Sequence, residues 1–354
     1  VRRRARNAAI GDHGMPWRTI VRVCLGGLLA AAWSFAPGVA RAETGDVRIA
    51  QLYGLTYLPA YIVYEKELIQ KHAKLLGLPA PKITPQKLTS GPVANDALIS
   101  GNVDIAMGGI TVLMTLWDRT QGKQNIKGLG VMCESPIYLL TADPKIKSLE
   151  DFSDGDRIAV SAVKVTMQAI FLQMAAAKEF GWENRGRLDP MTVSMSHPES
   201  VAALKTGKLE VKSYAAILPF NLEVLTAPHV RQLMTSYDVL GSNHSLVAFW
   251  GAEKWVKENP KTYQAVVAAF DEANAFIVAN KAEAARIFIK WENSTTPEAS
   301  LVKLLGSEKD IVFSMTPKRS MDFAEIMHKV GLVKQKPQSW KDLFFEGVHK
   351  RPGS

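Results

Sequence analysis

The sequence lacks most of the residues and motifs that metal sites and common catalytic centres require. It holds two cysteines in 354 residues, so one disulfide at most is possible. Its histidines show no H-x-x-x-H spacing and have no cysteine partners for zinc: His13, His72, His197, His229, His244, His328 and His349. A Walker-type phosphate loop and a G-x-S-x-G nucleophile elbow are also missing. We therefore predict no catalytic residues, no metal and no cofactor.

Positive charge is concentrated at the front of the chain. Residues 1–42 carry seven arginines against one aspartate, a net charge of +6. An apolar run, Val23–Ala36, follows the basic region, and Ala40-Arg41-Ala42 supplies the small residues that signal peptidase needs at positions −3 and −1. This pattern predicts a secretory signal peptide over residues 1–42, cleavage before Glu43 and a periplasmic location. Translation could start at Val1 or at Met15.

Removing that segment changes the interpretation of the rest. Of the total charge of +9, only +3 remains for residues 43–354, a nearly balanced surface that gives little support for nucleic-acid binding. Cys24 would be removed with the signal peptide, so Cys133 has no disulfide partner. It is expected to be a small buried residue at a strand end. No apolar run of 18 residues follows residue 43, so we expect no membrane-spanning helix there.

Strand-like and helix-like segments alternate along the mature chain. The predicted strands are short β-rich runs at 47–52, 83–88, 103–107, 126–132, 137–141, 157–161, 191–195, 211–217, 230–235 and 245–250. Ile62, Ile69, Ala73 and Leu76 share one helical face, which predicts a single helix ended by Gly77. Beyond residue 250 the pattern is almost wholly helical. Such alternation implies an α/β protein with mostly parallel sheets and right-handed crossovers.

Five segments in order resemble the periplasmic substrate-binding proteins of nitrate, taurine and aliphatic-sulfonate importers: VRIAQLYGLTYLPAYIVYEKELI, ALISGNVDIAMGG, IKSLEDFSDGDRIAV, ALKTGKLEVKSYAAILPF and FAEIMHKVGLVKQKPQSWKDLF. The resemblance implies a two-lobed type II periplasmic binding protein fold, each lobe a mostly parallel sheet flanked by helices. Lobe 1 would comprise 43–141 and 240–354, and lobe 2 would comprise 142–239. The chain would cross between the lobes near Thr141–Asp143 and Tyr237–Ser245.

Ligands of doubly wound sheets bind beyond the carboxyl ends of the strands, where helix N-termini offer free N–H groups. This rule selects four loops without help from the resemblance. Tyr53, Thr56 and Tyr57 follow the first strand, and Ser90 and Gly91 follow the second. Gly109 and Thr111 follow the third strand, and Lys164 and Thr166 begin the second lobe's main helix. A lysine works against the dipole at a helix start, so Lys164 is a candidate partner for an anion, although a solvated lysine fits equally well.

Three further residues are weaker candidates, because turn chemistry and ligand contact look alike in sequence: Ser135, His197 and Pro219. The favoured function is a monomeric solute receptor that closes on a small organic or inorganic anion. Its partners would be the permease and ATPase subunits of an ABC importer. One alternative is an enzyme on the same fold, resembling a thiamine-pyrimidine synthase or a sulfinate desulfinase. Another is a ligand sensor for a membrane signalling protein.

Overall fold

The computed structural model describes residues 43–207 and 210–354, and the predicted signal peptide lies outside them. Residues 43–354 form one compact unit. Its strands are β1 (Asp46–Gln51), β2 (Lys82–Lys87), β3 (Ile105–Gly109), β4 (Lys127–Glu134), β5 (Tyr138–Thr141), β6 (Ile158–Val160), β7 (Thr192–Ser194), β8 (Ser213–Ala216), β9 (Arg231–Thr235), β10 (Ser245–Gly251) and β11 (Val312–Phe313). They build two separate sheets, as the two-lobed prediction requires.

Apart from the additional edge strand β11 in the first sheet, the two sheets have the same strand order. The first runs β11-β4-β10-β3-β1-β2, and the second runs β7-β6-β8-β5-β9. In each, the first strand of the lobe lies between the second and the third, to which it is parallel. One strand from elsewhere in the chain, β10 or β5, is inserted antiparallel between the third and fourth strands. Each lobe therefore receives one strand across the boundary between the two halves of the fold.

One expected boundary differs from the structure. The segment 138–141, assigned to lobe 1 from the sequence, is β5 and pairs with β8 and β9 of the second sheet. The first crossover consequently lies at 135–137, before β5, and not near Thr141–Asp143. The second crossover lies between the end of β9 at Thr235 and the start of β10 at Ser245.

Helices cover both sheets, and several begin where the sequence places a capping residue. They are α1 (Leu58–Glu65), α2 (Leu68–Leu75), α3 (Gly91–Ile99), α4 (Ile110–Thr120), α5 (Met167–Phe180), α6 (His197–Thr206), α7 (Phe220–Leu225), α8 (Ser236–Leu240), α9 (Glu253–Glu258), α10 (Pro260–Ala279), α11 (Lys281–Glu292), α12 (Glu298–Leu305) and α13 (Ser320–Lys329). Thr166 caps α5 through the Ala169 N–H, and Ser196 forms a capping box with Glu199 at the start of α6.

The single helix expected around Ile62–Leu76 is wrong, because the structure divides it into α1 and α2. Glu67 adopts a left-handed backbone conformation, φ 49°, which ends one helix and starts the next. Ile62 of α1 and Ile69 of α2 are both fully buried. The apolar pattern therefore belongs to two short helices that pack on the same core. Periodicity alone does not detect a two-residue break of this kind.

Cys133 is fully buried on β4, as expected for a small apolar residue. Its thiol contacts the carbonyl oxygen of Thr56 at 3.7 Å, and burial raises its pKa. A thiol held in its protonated form is a poor nucleophile. Among the residues that the structure describes, no helix is both long and apolar enough to cross a membrane.

Candidate ligand-binding cleft

A small cavity lies between the two lobes, at the carboxyl ends of the strands of both sheets. Its cavity volume is about 30 Å³. Its polar lining comes from Tyr57, Ser161, Thr166, Gln168 and His197. The remainder is glycine and apolar side chains: Gly91, Gly109, Leu52, Val112, Met167, Ile217, Leu246 and Val247. We call this space the inner cavity.

Four helices begin at the inner cavity. Gly91 opens α3, Gly109 precedes α4, Thr166 and Met167 open α5, and His197 opens α6. The first turn of a helix has N–H groups without intrahelical partners and carries a partial positive charge. Among residues 43–207 and 210–354, no lysine or arginine lines this cavity. Its positive potential therefore comes from backbone dipoles, which suit a small anion or a neutral group rich in acceptors.

A chain of hydrogen bonds fixes the polar wall on the second lobe. Ser161 Oγ donates to Gln168 Oε1 at 3.3 Å, and the Gln168 amide nitrogen lies 3.5 Å from His197 Nε2. His197 Nδ1 is bonded to the hydroxyl of Tyr214, and the ring stacks on Phe220 with centroids 5.2 Å apart. Burial lowers the pKa of His197 to about 4, so the imidazole is neutral at pH 7. This wall therefore adds no net charge.

Tyr57 supplies a free donor on the opposite wall. The side chain is 2% exposed and lines the inner cavity, and its hydroxyl makes no hydrogen bond within the part of the chain that the structure describes. Burial raises the pKa of Tyr57 well above its usual value, so the hydroxyl keeps its proton. The hydroxyl is therefore available to donate a hydrogen bond to an acceptor in the cavity.

Direct contacts hold the lobes together around the cavity. The Leu55 N–H donates to the Leu218 carbonyl at 2.9 Å, and Thr111 Oγ1 donates to the Val165 carbonyl at 2.8 Å. Gly109 approaches Met167 so closely that an added Cβ would lie 2.8 Å from Met167 Cγ. The structure therefore has the closed arrangement of the lobes.

Comparison with known proteins agrees with this architecture. Residues 40–292 match the model of the NMT1-like family, which covers most of the chain. The chain belongs to the NMT1-like family. No curated protein matches this NMT1-like protein significantly in sequence.

Solved structures of periplasmic binding proteins share the fold of this NMT1-like protein. The alkanesulfonate-binding protein SsuA from Xanthomonas axonopodis, bound to MOPS, has a TM-score of 0.65 and 18% identity, covering 83% of this chain and 96% of its own. The aliphatic sulphonate binding protein SsuA from Escherichia coli has 0.63 and 18%, covering 86% and 93%. The nitrate-binding protein NrtA from Synechocystis has 0.64 and 19%, covering 85% and 84%. The predicted fold class and the resemblance to this group of proteins are confirmed.

The structure of the NMT1-like protein brings five of the twelve predicted site residues to the inner cavity: Tyr57, Gly91, Gly109, Thr166 and His197. Tyr53 and Pro219 instead line a second space between the lobes, together with Phe220, Glu223, Phe288 and Glu292. We call this second space the outer cavity. A ligand role for all of these residues stays a prediction.

The other five predicted residues lie outside both cavities. Ser90 is nearly buried beside Gly91 but does not line the space, and Thr56 is buried with an unpaired hydroxyl. The hydroxyl of Thr111 is used in the bond to Val165. Ser135 donates to the Asp310 carbonyl at 3.1 Å, near the first crossover. Lys164 is exposed to solvent, so the solvated-lysine interpretation fits its position.

Sequence reasoning missed Ser161 and Gln168. Both flank Thr166 at the start of α5, so extending the helix-start rule by one turn in each direction would have included them. Leu246 and Val247 carried no such signal, because they belong to β10, which reaches the first sheet from a distant part of the chain.

Two substitutions of Lys164 distinguish the effect of its backbone strain on stability from a role of its side chain in ligand binding. Its φ of 70° is left-handed, which costs a non-glycine residue about 1 kcal/mol. We expect Lys164→Gly to raise the free energy of unfolding by up to about 1 kcal/mol, and Lys164→Ala to leave it nearly unchanged, in urea denaturation. Neither change should alter anion affinity; a loss of affinity in both variants would return Lys164 to the site.

Proposed function

We propose that this NMT1-like protein is the solute-binding receptor of a bacterial ABC importer. It would be exported, bind a small anion such as a sulfonate, taurine or nitrate between its lobes, and deliver it to the permease and ATPase subunits. The periplasmic sulfonate- and nitrate-binding proteins with the same fold support this role. The buried, protonated Cys133 supports a binding protein over an enzyme.

The main support for an anionic ligand is that four helix N-termini converge on the inner cavity, whose described lining residues include no lysine or arginine. Backbone N–H groups bind a compact anion without the desolvation cost of a buried lysine or arginine. Contacts from both lobes make the closed form the tighter binder, and only such a difference in affinity can drive closure. Apolar lining residues such as Leu52, Val112 and Ile217 favour a ligand with a short hydrocarbon part.

A thermal-shift screen of residues 43–354 tests the proposal. The panel contains nitrate, formate, acetate, methanesulfonate and taurine, with acetamide as the neutral counterpart of acetate. A ligand at a hundredfold excess over Kd stabilises the folded state by about 2.7 kcal/mol, which raises the melting temperature by several degrees. We expect at least one anion to do this and acetamide to fail. A panel without any binder, or acetamide binding as well as acetate, would contradict an anion receptor.

A further inference from the structure

The outer cavity offers a second kind of chemistry at the boundary between the lobes. Its volume is about 260 Å³, and it is lined by Tyr53, Phe288 and Glu292 from the first lobe and by Phe220 and Glu223 from the second. The ring of Phe220 stacks on His197, so this pair of rings forms part of the wall between the outer and inner cavities. The two spaces are therefore neighbours with different linings.

The outer cavity is lined by two carboxylates, and one of them, Glu223, has no ion-pair partner among the described residues. Glu292 is nearly buried, with its side chain 6% exposed, and is neutralised by Lys87 at 3.2 Å. Glu223 accepts one hydrogen bond, from Thr296 Oγ1 at 3.3 Å, and forms no ion pair with any residue in 43–207 or 210–354. Burial raises the pKa of Glu223, and the charge of Lys205 opposes that shift. A half-buried carboxylate without a cation is costly unless something else compensates it.

Two residues of this lining already contact an ammonium group of the chain, that of Lys87. The ammonium of Lys87 lies 3.2 Å from Glu292 Oε1 and 5.1 Å from the centre of the Tyr53 ring. Two lining residues, Glu292 and Tyr53, thus contact an ammonium through a carboxylate and an aromatic face, a pairing in which both groups attract the cation. Glu223, Phe220 and Phe288 line the rest of the wall, where Glu223 forms no ion pair with a described residue although the charge of Lys205 reaches it.

We propose that the outer cavity binds an organic ammonium group. The carboxylate of Glu223 supplies the charge, and the aromatic rings supply cation–π contacts and an apolar surface for the carbon substituents. Because both lobes form its walls, an occupant contacts both and favours the closed arrangement. The site does not depend on an anion in the inner cavity, so it extends the proposed function and stands apart from it.

Choline and its neutral carbon isostere, 3,3-dimethylbutan-1-ol, are the probes that test this site. They have nearly the same shape, so isothermal titration of residues 43–354 with each isolates the contribution of the positive charge. We expect choline to bind at least about fivefold more tightly than the alcohol, and Glu223→Gln to remove that preference. Glutamine keeps an oxygen that can accept from Thr296, so the local hydrogen bond survives in this variant.

Glu150→Gln is the matched control, because Glu150 is an exposed carboxylate of the second lobe that lines neither cavity. It should leave choline affinity unchanged. Equal affinity for choline and the alcohol, or undiminished choline affinity in Glu223→Gln, would overturn the ammonium site. An anion screen without binders would overturn the receptor proposal alone, since choline titration is performed without any of the panel anions.

Discussion

Replacing Gly54 with alanine is expected to weaken binding of the tightest anion of the panel by about tenfold or more. Gly54 has φ 113° and ψ 167°, a conformation that essentially only glycine adopts, and strain there costs about 1–3 kcal/mol. An added Cβ would also lie 2.9 Å from the Leu218 carbonyl oxygen of the opposite lobe. That oxygen accepts the Leu55 N–H bond, so the substitution opposes the closed arrangement directly.

Two measurements separate closure from folding in this variant. Titration calorimetry with the anion reports affinity, and urea denaturation without ligand reports the free energy of unfolding. Part of the strain acts on the folded chain whether or not the lobes are closed, so we expect some loss of stability as well. The conflict with Leu218 acts only when the lobes are closed, and it should appear as an additional loss of affinity.

Gly45→Ala is the control for Gly54→Ala. Gly45 is exposed just before β1, and a Cβ there meets no atom within 4 Å. It should change neither affinity nor stability by more than a few tenths of a kcal/mol. Unchanged anion affinity in Gly54→Ala would mean that the contact between the first loop and Leu218 does not contribute to binding.

The strand pattern was predictable because short β-rich runs alternate with helical segments along most of the chain. The predicted strands at 47–52 and 230–235 differ from β1 and β9 by one residue at their ends. The placement of β5 in the second sheet was not predictable in this way. Its four residues, Tyr138–Thr141, are all buried and would fit either sheet, and tertiary pairing with β8 and β9 determines which sheet they join.

The site was predictable to the level of loops and less so to the level of side chains. The strand-end rule identified the edge of both sheets at which the inner cavity lies, because parallel strands place their carboxyl ends together. It did not give the direction of each side chain within a loop. Thr111 turns to Val165 and Lys164 turns to solvent, and these directions depend on helix phase and on a left-handed residue that sequence does not reveal.

Acid should destabilise the ligand-free protein between about pH 6.5 and pH 4 through two buried histidines. Burial lowers the pKa of both His197 and His244 to about 4, whereas an unfolded histidine titrates near 6.5. In this window the unfolded chain binds more protons than the folded chain, so the free energy of unfolding falls as the pH falls. The stability is fully present above about pH 6.5 and is lost progressively towards pH 4.

Each histidine contributes up to about 3 kcal/mol to this loss, because its pKa is about 6.5 in the unfolded chain and about 4 in the folded protein. Carboxylates modify the curve in known directions. Burial raises the pKa of Asp189 and of Glu223, which opposes the histidine effect on acidification. The hydrogen bond from the Lys145 N–H lowers the pKa of Asp143, whose contribution is lost mainly below about pH 4. The two histidines should therefore dominate the change in the free energy of unfolding in the upper part of this pH range.

Urea denaturation from pH 4.5 to 7.5 measures the effect in wild type, His197→Gln, His244→Gln and the double variant. Each single variant should lose about half of the pH dependence, and the double variant should be nearly flat above pH 5. Glutamine can still form hydrogen bonds with Tyr214 or with Ser236, the partners of the two rings, without gaining a charge. His328→Gln is the control, because His328 is exposed on α13 and should leave the slope unchanged. An equally steep curve in the double variant would show that the acid sensitivity arises from carboxylates, and that burial of these two rings does not govern it.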